Sequence, residues 1–390
     1  AAEAVGQVAW CSRKLKDWEN ARTLYQHVVD NWPDNERAIY SQRGVILASL
    51  ELREPNAAEA AVAKLFADYS EHKDFVPIVS SVASGYRDKR QLGKSRELHK
   101  YIVQQQPSSD QAIWSQREVV VSSIYLQDDP NVEAGIDKLL RDFESNPNIG
   151  KAAYQVARKL NFRNAVQAKQ LYELVRDKDP DGHLGIMAKV NIGSLKLLTG
   201  DPNGARAIFD EVLAERKGHS RLPEAVNIMA GAYWEQAFIS RSRGSEEGYQ
   251  ANLQKALTEW RRFENELPVT EFHTAEACFF SGECHRLLDE TDAAVEKYLE
   301  LADEWPDSRY TPRALFTVST CTERLMQAEE VTLPEGIGVI RDVCQRILDE
   351  HADSPYVGKA NRMLKRYESY GSERMKMALK IKEGREKNEQ

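Results

Sequence analysis

The stretch Ala294-Val-Glu-Lys-Tyr298-Leu-Glu-Leu-Ala-Asp-Glu-Trp-Pro306-Asp-Ser308 decides the fold, because its pattern recurs along the chain. A small residue is followed four positions later by an aromatic residue and, after eight more, by proline. Three further segments carry the pattern: Ala21, Tyr25 and Pro33; Ala168, Tyr172 and Pro180; Ala256, Trp260 and Pro268. A fixed phase that recurs over the whole length is the signature of a repeat array. Each unit of an array leaves an apolar face that its neighbours must cover, so the units stack.

The composition limits the classes of function. Apolar residues make up 42% of the chain and charged residues 29%, as expected for packed helices with solvated outer faces. The net charge of −8 and the isoelectric point of about 5.7 argue against a general binder of nucleic acids or anionic membranes, which is usually basic. No apolar run approaches the ~18 residues of a membrane span.

The local pattern predicts helices joined by short capped turns. Apolar residues recur at three- and four-residue steps, as in residues 21–32. Gly200-Asp201-Pro202 predicts a helix end, an N-cap and the first position of the next helix. Thr332-Leu333-Pro334-Glu335 predicts a capping box. Such starts in mid-repeat divide each unit into a first helix (A) and a second helix (B).

These signals predict an array of about nine helix pairs over residues 1–356, the number being set by the repeat period. The predicted units are 1–34, 36–74, 75–108, 109–148, 149–181, 182–219, 221–269, 272–307 and 310–356. Residues 357–390 are predicted to form a C-terminal capping helix and a charged tail, which protrudes over residues 373–390.

At the small–aromatic–proline pattern, the chain resembles the tetratricopeptide repeat family. Its eighth unit fits the consensus best, with Gly282, Ala294, Tyr298 and Pro306 in the family's order. The resemblance implies an all-α, right-handed superhelical solenoid. It also implies a non-enzymatic scaffold or adaptor that binds a peptide or a partner helix in a groove lined by A helices.

Two repeat ends suggest a location. Asn31-Trp32-Pro33-Asp34 and Glu304-Trp305-Pro306-Asp307-Ser308 resemble the repeat ends of bacterial envelope proteins, which implies a periplasmic or other extracytoplasmic setting. A cytoplasmic location is the alternative. The opening Ala1-Ala2-Glu3 shows no targeting segment and fits equally a chain matured by signal cleavage at a small-residue site and a shortened chain.

Aromatic and arginine side chains on the A helices are the candidate groove residues, since these residue types are the usual anchors of protein interfaces. Two asparagines on A helices are added because their amides can bond a peptide backbone, and a neighbouring glutamate completes the set. The predicted partner-binding residues are Trp10, Arg13, Trp114, Arg117, Asn191, Asn227, Tyr233, Trp234, Phe279, Glu283 and Arg286. An aromatic residue at helical spacing is more often a core residue, so packing is the competing interpretation for each.

One string has the spacing of a metal site. Asp177, Asp179 and Asp181, followed by Gly182, match the first half of a calcium loop. Ala188 stands where the loop's last acidic ligand belongs, and a solvated turn is the competing interpretation. Calcium is therefore a hypothesis, and no other cofactor is predicted.

The five cysteines form no CxxC pair, which favours reduced, buried thiols. A disulfide between Cys321 and Cys344, expected on adjacent helices, is left open.

No catalytic motif is found, so the chain is predicted not to be an enzyme. A protein or peptide is the predicted partner, without nucleic acid. Two alternatives stay open: a structural subunit that self-assembles through its convex face or tail, and an accessory subunit of a catalytic complex.

Overall fold

The computed structural model describes residues 1–161 and 163–367, apart from the Glu271 side chain. These residues contain nineteen α-helices up to Glu350, a further helical stretch after it, and no β-strand, so the predicted all-α class is confirmed. The chain divides into two compact units, unit 1 (Ala1–Ala188) and unit 2 (Lys189–Gln390). The predicted tail helix over residues 373–390 lies outside the described residues.

Unit 1 is built from consecutive antiparallel helices. They are α1 (Ala2–Lys14), α2 (Trp18–Asn31), α3 (Ala38–Glu51), α4 (Pro55–Tyr69), α5 (Phe75–Asp88), α6 (Leu92–Gln105), α7 (Asp110–Tyr125), α8 (Asp129–Asp142), α9 (Ile149–Leu160) and α10 (Ala165–Lys178). Helix α11 (His183–Leu198) begins in unit 1 and ends in unit 2.

Unit 2 continues in the same way. Its helices are α12 (Pro202–Glu215), α13 (Leu222–Ser242), α14 (Glu246–Trp260), the one-turn α15 (Arg262–Asn265), α16 (Glu271–Leu287), α17 (Thr291–Glu304), α18 (Thr311–Gln327) and α19 (Leu333–Glu350). Residues 357–367 are also helical.

Consecutive long helices form hairpins that stack side by side. Each predicted range holds one A helix and one B helix, and α16 begins one residue before its range. In unit 1, α3 packs on α2, α4 and α5, and α7 packs on α6, α8 and α9. In unit 2, α16 packs on α13, α14 and α17, and α18 packs on α17 and α19. Within each unit the arrangement is that of an α-solenoid, and the handedness of the array stays a prediction.

The turn from helix A to helix B has a recurring geometry. The residue directly before the N-cap of helix B has a left-handed backbone conformation. Examples are Lys16, Arg53 and Gln127, whose φ angles are 62°, 60° and 58°. The next backbone N–H reaches back five residues to a carbonyl of helix A, as from Asp128 to Ser123 at 3.0 Å. This is the bonding of a Schellman motif, which satisfies carbonyls at a helix end.

The predicted capping signals are confirmed. Gly200 has a φ of 94°, and the Asp201 side chain accepts a hydrogen bond from the Gly204 backbone at 2.9 Å. The capping box of Thr332 and Glu335 is formed at the start of α19.

Small residues bring paired helices close together, as the repeat pattern predicts. A Cβ atom placed on Gly282 would lie 2.7 Å from the Tyr298 ring, and one placed on Gly193 would lie 2.5 Å from Phe209. The aromatic ring therefore fills the space that the missing side chain leaves. Separate apolar clusters run through the two units, one from α1 to α6 and one from α16 to the helical residues 357–367.

Candidate functional site

The predicted partner-binding residues all lie on A helices. Helix α1 carries Trp10 and Arg13, α7 carries Trp114 and Arg117, α11 carries Asn191, α13 carries Asn227, Tyr233 and Trp234, and α16 carries Phe279, Glu283 and Arg286. They differ in exposure, from 49% for Trp10 to 0% for Phe279. Exposure and internal contacts therefore separate candidates for binding from residues that build the core.

A groove in unit 1 opens between α1, α3 and the start of α5, and we call it the N-terminal groove. Its volume is about 670 Å³, within the ~300–1,000 Å³ of typical ligand sites. Trp10 and Tyr40 contribute aromatic surface, and Arg13, Arg43 and Tyr25 also line it. The predicted residues of α1, Trp10 and Arg13, thus share a groove with Tyr40 and Arg43 of α3, which were not among the predicted residues.

The acidic and basic side chains at the rim of this groove are matched to one another. Arg37 lies 3.1 Å from Glu3, and Lys73 lies 3.8 Å from Glu36. The Tyr40 hydroxyl donates to the Asp74 carboxylate at 2.9 Å.

Arg13 and Arg43 differ from the rim residues, since neither forms an ion pair with any residue that the structure describes. Both are half-buried, and the Arg43 Nε is buried without a hydrogen-bond partner among the described residues. Burial, together with the nearby Arg13 charge, lowers the pKa of Arg43. The Arg43 guanidinium also lies over the Tyr40 ring, 5.7 Å from its centre. The N-terminal groove therefore has aromatic walls and two cations without a paired anion.

The pair on α7 is engaged within unit 1. Arg117 lies over the Trp114 ring at 5.3 Å, and it also contacts Glu118 and Gln155. Lys151 lies over the same ring at 5.7 Å. Trp114 and Arg117 are only half-buried, so they stay candidates for partner contacts, but the Arg117 charge is already matched.

Asn227 is occupied inside unit 2. Its side-chain oxygen accepts from the Trp260 indole at 3.2 Å, and its amide nitrogen lies 3.0 Å from the His273 ring nitrogen and 3.3 Å from Glu276. Trp234 packs edge-on against Trp260, with ring centres 5.9 Å apart. These contacts make both residues part of an internal aromatic cluster.

The remaining predicted residues are mainly buried. Phe279 is fully buried, with the Arg313 guanidinium 4.9 Å from its ring centre. The Glu283 carboxylate accepts from Arg286 at 2.9 Å and from Arg313 at 3.2 Å. Tyr233 and Asn191 are 7% and 6% exposed. For these positions the core interpretation fits the geometry, and their role in partner binding stays a prediction.

Tyr40 and Arg43 are the residues that single-repeat reasoning missed. The signal that could have found them is the string Ala38-Ile-Tyr-Ser-Gln-Arg43, which recurs as Ala112-Ile-Trp-Ser-Gln-Arg117. The candidate pair on α7 therefore has a counterpart on α3, visible only when repeats are compared two units apart.

The acidic turn shows no assembled metal site. The Asp179 carboxylate lies over Gly182, where a Cβ atom would fall 1.8 Å from its oxygen. Among the described residues, no group of three or more His, Cys, Asp or Glu side chains is arranged to hold a metal ion. Calcium at Asp177, Asp179 and Asp181 stays a hypothesis.

All five cysteines are free thiols. Cys321 and Cys344, for which a disulfide was left open, are both buried and are not bonded to each other. None of the helices over the described residues combines the length and the apolar character that crossing a membrane requires.

Several solved structures are similar in fold. A tetratricopeptide repeat protein from Parabacteroides merdae aligns at 10% identity with a TM-score of 0.41, covering 71% of this chain and 96% of that one. PilW, described as a widely conserved type IV pilus biogenesis factor, aligns at 14% identity with a TM-score of 0.33, covering 62% and 98%. The protein pilF of Pseudomonas aeruginosa aligns at 14% identity with a TM-score of 0.34, covering 56% and 92%. These similarities concern the fold alone.

The sequence comparisons are narrower. No curated protein matches the sequence. The tetratricopeptide repeat family model matches residues 7–35, which span most of α1 and all of α2. The same hairpin, with its left-handed turn before the second N-cap, recurs in both units. The first hairpin of the chain therefore carries a tetratricopeptide repeat, and hairpins of the same form follow it.

Proposed function

We propose that the protein is a non-enzymatic scaffold that binds a segment of a partner protein on its A helices. The fold supports the coarser part of this proposal, since tetratricopeptide repeats are typically non-catalytic interaction modules. The N-terminal groove carries the finer part. It offers the exposed Trp10 and Tyr40 beside two arginines without a paired carboxylate, and aromatic and arginine side chains are enriched among the strongest contacts of interfaces.

Site-specific photo-crosslinking tests this proposal in the full chain. A benzoylphenylalanine in place of Tyr40 should give a discrete crosslinked product that maps to one segment of one partner. The matched control places the same probe at Val166, which is 79% exposed on the B helix α10. Equal labelling from both positions, or none from Tyr40, would contradict the proposal.

We further propose a periplasmic or other extracytoplasmic location in a bacterium. The support is the pair of repeat ends, Asn31–Asp34 and Glu304–Ser308, that resemble those of envelope proteins. Fractionation of the native cells, with cytoplasmic and periplasmic marker enzymes, tests it. Recovery with the cytoplasmic marker would contradict the location and leave the binding proposal standing.

A further inference from the structure

The first four predicted repeats of unit 1 form two similar halves that are offset by 74 residues. The strings at Ala38–Arg43 and Ala112–Arg117 differ at one position of six. Their glutamines make equivalent hydrogen bonds, from Gln42 to the Ala61 carbonyl at 2.6 Å and from Gln116 to the Gly135 carbonyl at 2.7 Å. The halves therefore correspond in contacts as well as in sequence, so one can be used to interpret the other.

The two arginines of the N-terminal groove have counterparts at this offset. Arg13 of α1 corresponds to Arg87 of α5, and Arg43 of α3 corresponds to Arg117 of α7. In the second half, both arginines contact one buried carboxylate, that of Glu118, which is 8% exposed. Its Oε1 lies 3.3 Å from the Arg87 Nη1 and also contacts the Arg117 Nη2.

In the first half, the position equivalent to Glu118 carries no carboxylate. The position equivalent to Glu118 is Gly44, where a Cβ atom would lie 2.5 Å from the Tyr25 ring. Tyr25 occupies the position equivalent to His99. The larger tyrosine ring fills the space next to Gly44, where the second half has the Glu118 side chain. The Arg13 side chain is hydrogen-bonded to the Tyr25 hydroxyl, but no described carboxylate pairs with Arg13 or Arg43. The two cations therefore line the N-terminal groove without an internal anion.

We propose that an Asp or Glu side chain of a partner segment binds between Arg13 and Arg43. It would take the role that the Glu118 carboxylate has between Arg87 and Arg117 in the second half. This inference rests on the proposed function and specifies the chemistry of the partner. The bound carboxylate receives charge-assisted hydrogen bonds from both guanidinium groups, and such bonds are about twice as strong as neutral ones.

The walls of the groove select the neighbours of that acidic residue. The Trp10 ring is half exposed, at 49%, and the Tyr40 ring is 40% exposed. Apolar or aromatic side chains on either side of the carboxylate can cover these rings. The partner is therefore an acidic segment with an aromatic residue between its acidic residues. Because the carboxylate in the second half belongs to the Glu118 side chain, we expect the arginines to bind a side-chain carboxylate of the partner and not its C-terminus.

Peptide titrations of the full chain test the inference. The probe is an acetylated and amidated octapeptide with a central Glu-Phe-Glu, and the comparison peptide carries Gln-Phe-Gln. A third peptide carries Gln-Phe-Gln with a free C-terminal carboxylate. Only the first should bind well, with the second at least about tenfold weaker, and its affinity should fall as salt rises from about 50 to 300 mM because the ion pairs are screened.

Matched variants locate the binding. Arg13→Gln and Arg43→Gln should each weaken the acidic peptide at least about tenfold, as expected for loss of one member of a hydrogen-bonded charge pair. Arg141→Gln makes the same change of charge on the B helix α8, where Arg141 is 71% exposed, and should leave affinity within about twofold. The double variant Tyr25→His, Gly44→Glu rebuilds the second-half arrangement and should abolish binding. Circular dichroism reports whether it folds, and the single arginine variants decide the question if it does not.

The outcomes separate this inference from the proposed function. Equal binding of the Glu and Gln peptides, preference for the free C-terminus, no binding of any peptide, or indifference to both arginine variants would overturn the acidic partner. If crosslinks from position 40 still map to one partner segment in that case, the scaffold function stands. If those crosslinks are absent while the acidic peptide binds as predicted, the scaffold function fails and the carboxylate site remains.

Discussion

The Tyr298 hydroxyl donates a hydrogen bond to the buried Glu283 carboxylate, with the two oxygens 2.5 Å apart. Tyr298 is the aromatic residue of the repeat pattern, and Glu283 is one of the predicted groove residues. Burial acts to raise the pKa of Glu283, but hydrogen bonds from Arg286 and Tyr298, with the nearby arginine charges, lower it on balance. The aromatic position that recurs in the repeats thus also holds a buried anion in unit 2.

We expect Tyr298→Phe to lower the free energy of unfolding by about 1.5–3 kcal/mol, the range for hydrogen bonds to charged groups. The loss arises because a buried carboxylate oxygen is left with fewer donors. Urea unfolding followed by circular dichroism measures it. Tyr249→Phe is the control, since the Tyr249 hydroxyl is buried in the same unit without a described partner. Equal losses in both variants would show that this hydrogen bond has no special role.

The close approach at Gly282 leads to a second prediction. Gly282→Ala should destabilise unit 2 by about 1–3 kcal/mol, because the added methyl group overpacks the contact with the Tyr298 ring. Gly231→Ala, inside α13, places the new Cβ more than 4 Å from every described atom outside the neighbouring helix backbone, and should stabilise by about 0.5–1 kcal/mol. Chemical denaturation of both variants measures the contrast. A stabilising Gly282→Ala would contradict the packing argument.

The buried His99 predicts how stability depends on pH. Burial lowers its pKa from 6.5 to about 4, with Glu118 opposing the shift and Arg87 and Arg117 adding to it. Between about pH 6.5 and pH 4, His99 binds a proton in the unfolded chain but stays neutral in the folded chain. The contribution of His99 to the free energy of unfolding is therefore fully present above about pH 6.5. It decreases as the pH falls to about 4, by up to ~3 kcal/mol at ~1.4 kcal/mol per pKa unit.

Denaturation midpoints between pH 4 and pH 7.5 test this dependence. His99→Gln should flatten the slope between about pH 6.5 and 4. His27→Gln, at an exposed position of the same unit, should keep the slope of the parent chain. An unchanged slope in His99→Gln would place the proton uptake elsewhere.

The left-handed turns supply a stabilising substitution. Gln127 is exposed, has a φ of 58°, and carries a Cβ atom that this conformation disfavours. Gln127→Gly should therefore raise the free energy of unfolding by about 1 kcal/mol. Gly200→Ala introduces the strain at an equivalent turn, where φ is 94°, and should have the opposite sign. Two shifts of the same sign would contradict the backbone argument.

The sequence predicted the helix hairpins well because their determinants are local. The fixed interval between Gly282 and Tyr298 determines which ring covers which glycine. The Thr332 and Glu335 capping box depends only on residues three positions apart. Signals of this kind need no knowledge of the neighbouring repeat.

The candidate site was less predictable because exposure depends on the neighbouring hairpins. The period of α16 places Phe279 and Glu283 on one face of the helix. Only the packing of α17 and the contacts of Arg313 from α18 determine that this face is buried. Arg43 was missed for another reason. Its counterpart lies 74 residues away, and comparison with a one-repeat consensus conceals a relationship that spans two repeats.

The uneven burial of the cysteines has a practical consequence. Cys11 is exposed on α1, next to Trp10, whereas the other four thiols are buried. Burial raises the pKa of Cys278 to about 12 and that of Cys344 to about 11, which keeps these thiols protonated and unreactive near neutral pH. A maleimide dye added to the unmodified protein should attach at Cys11 alone, beside the groove, and report ligand arrival through its emission without any engineered residue.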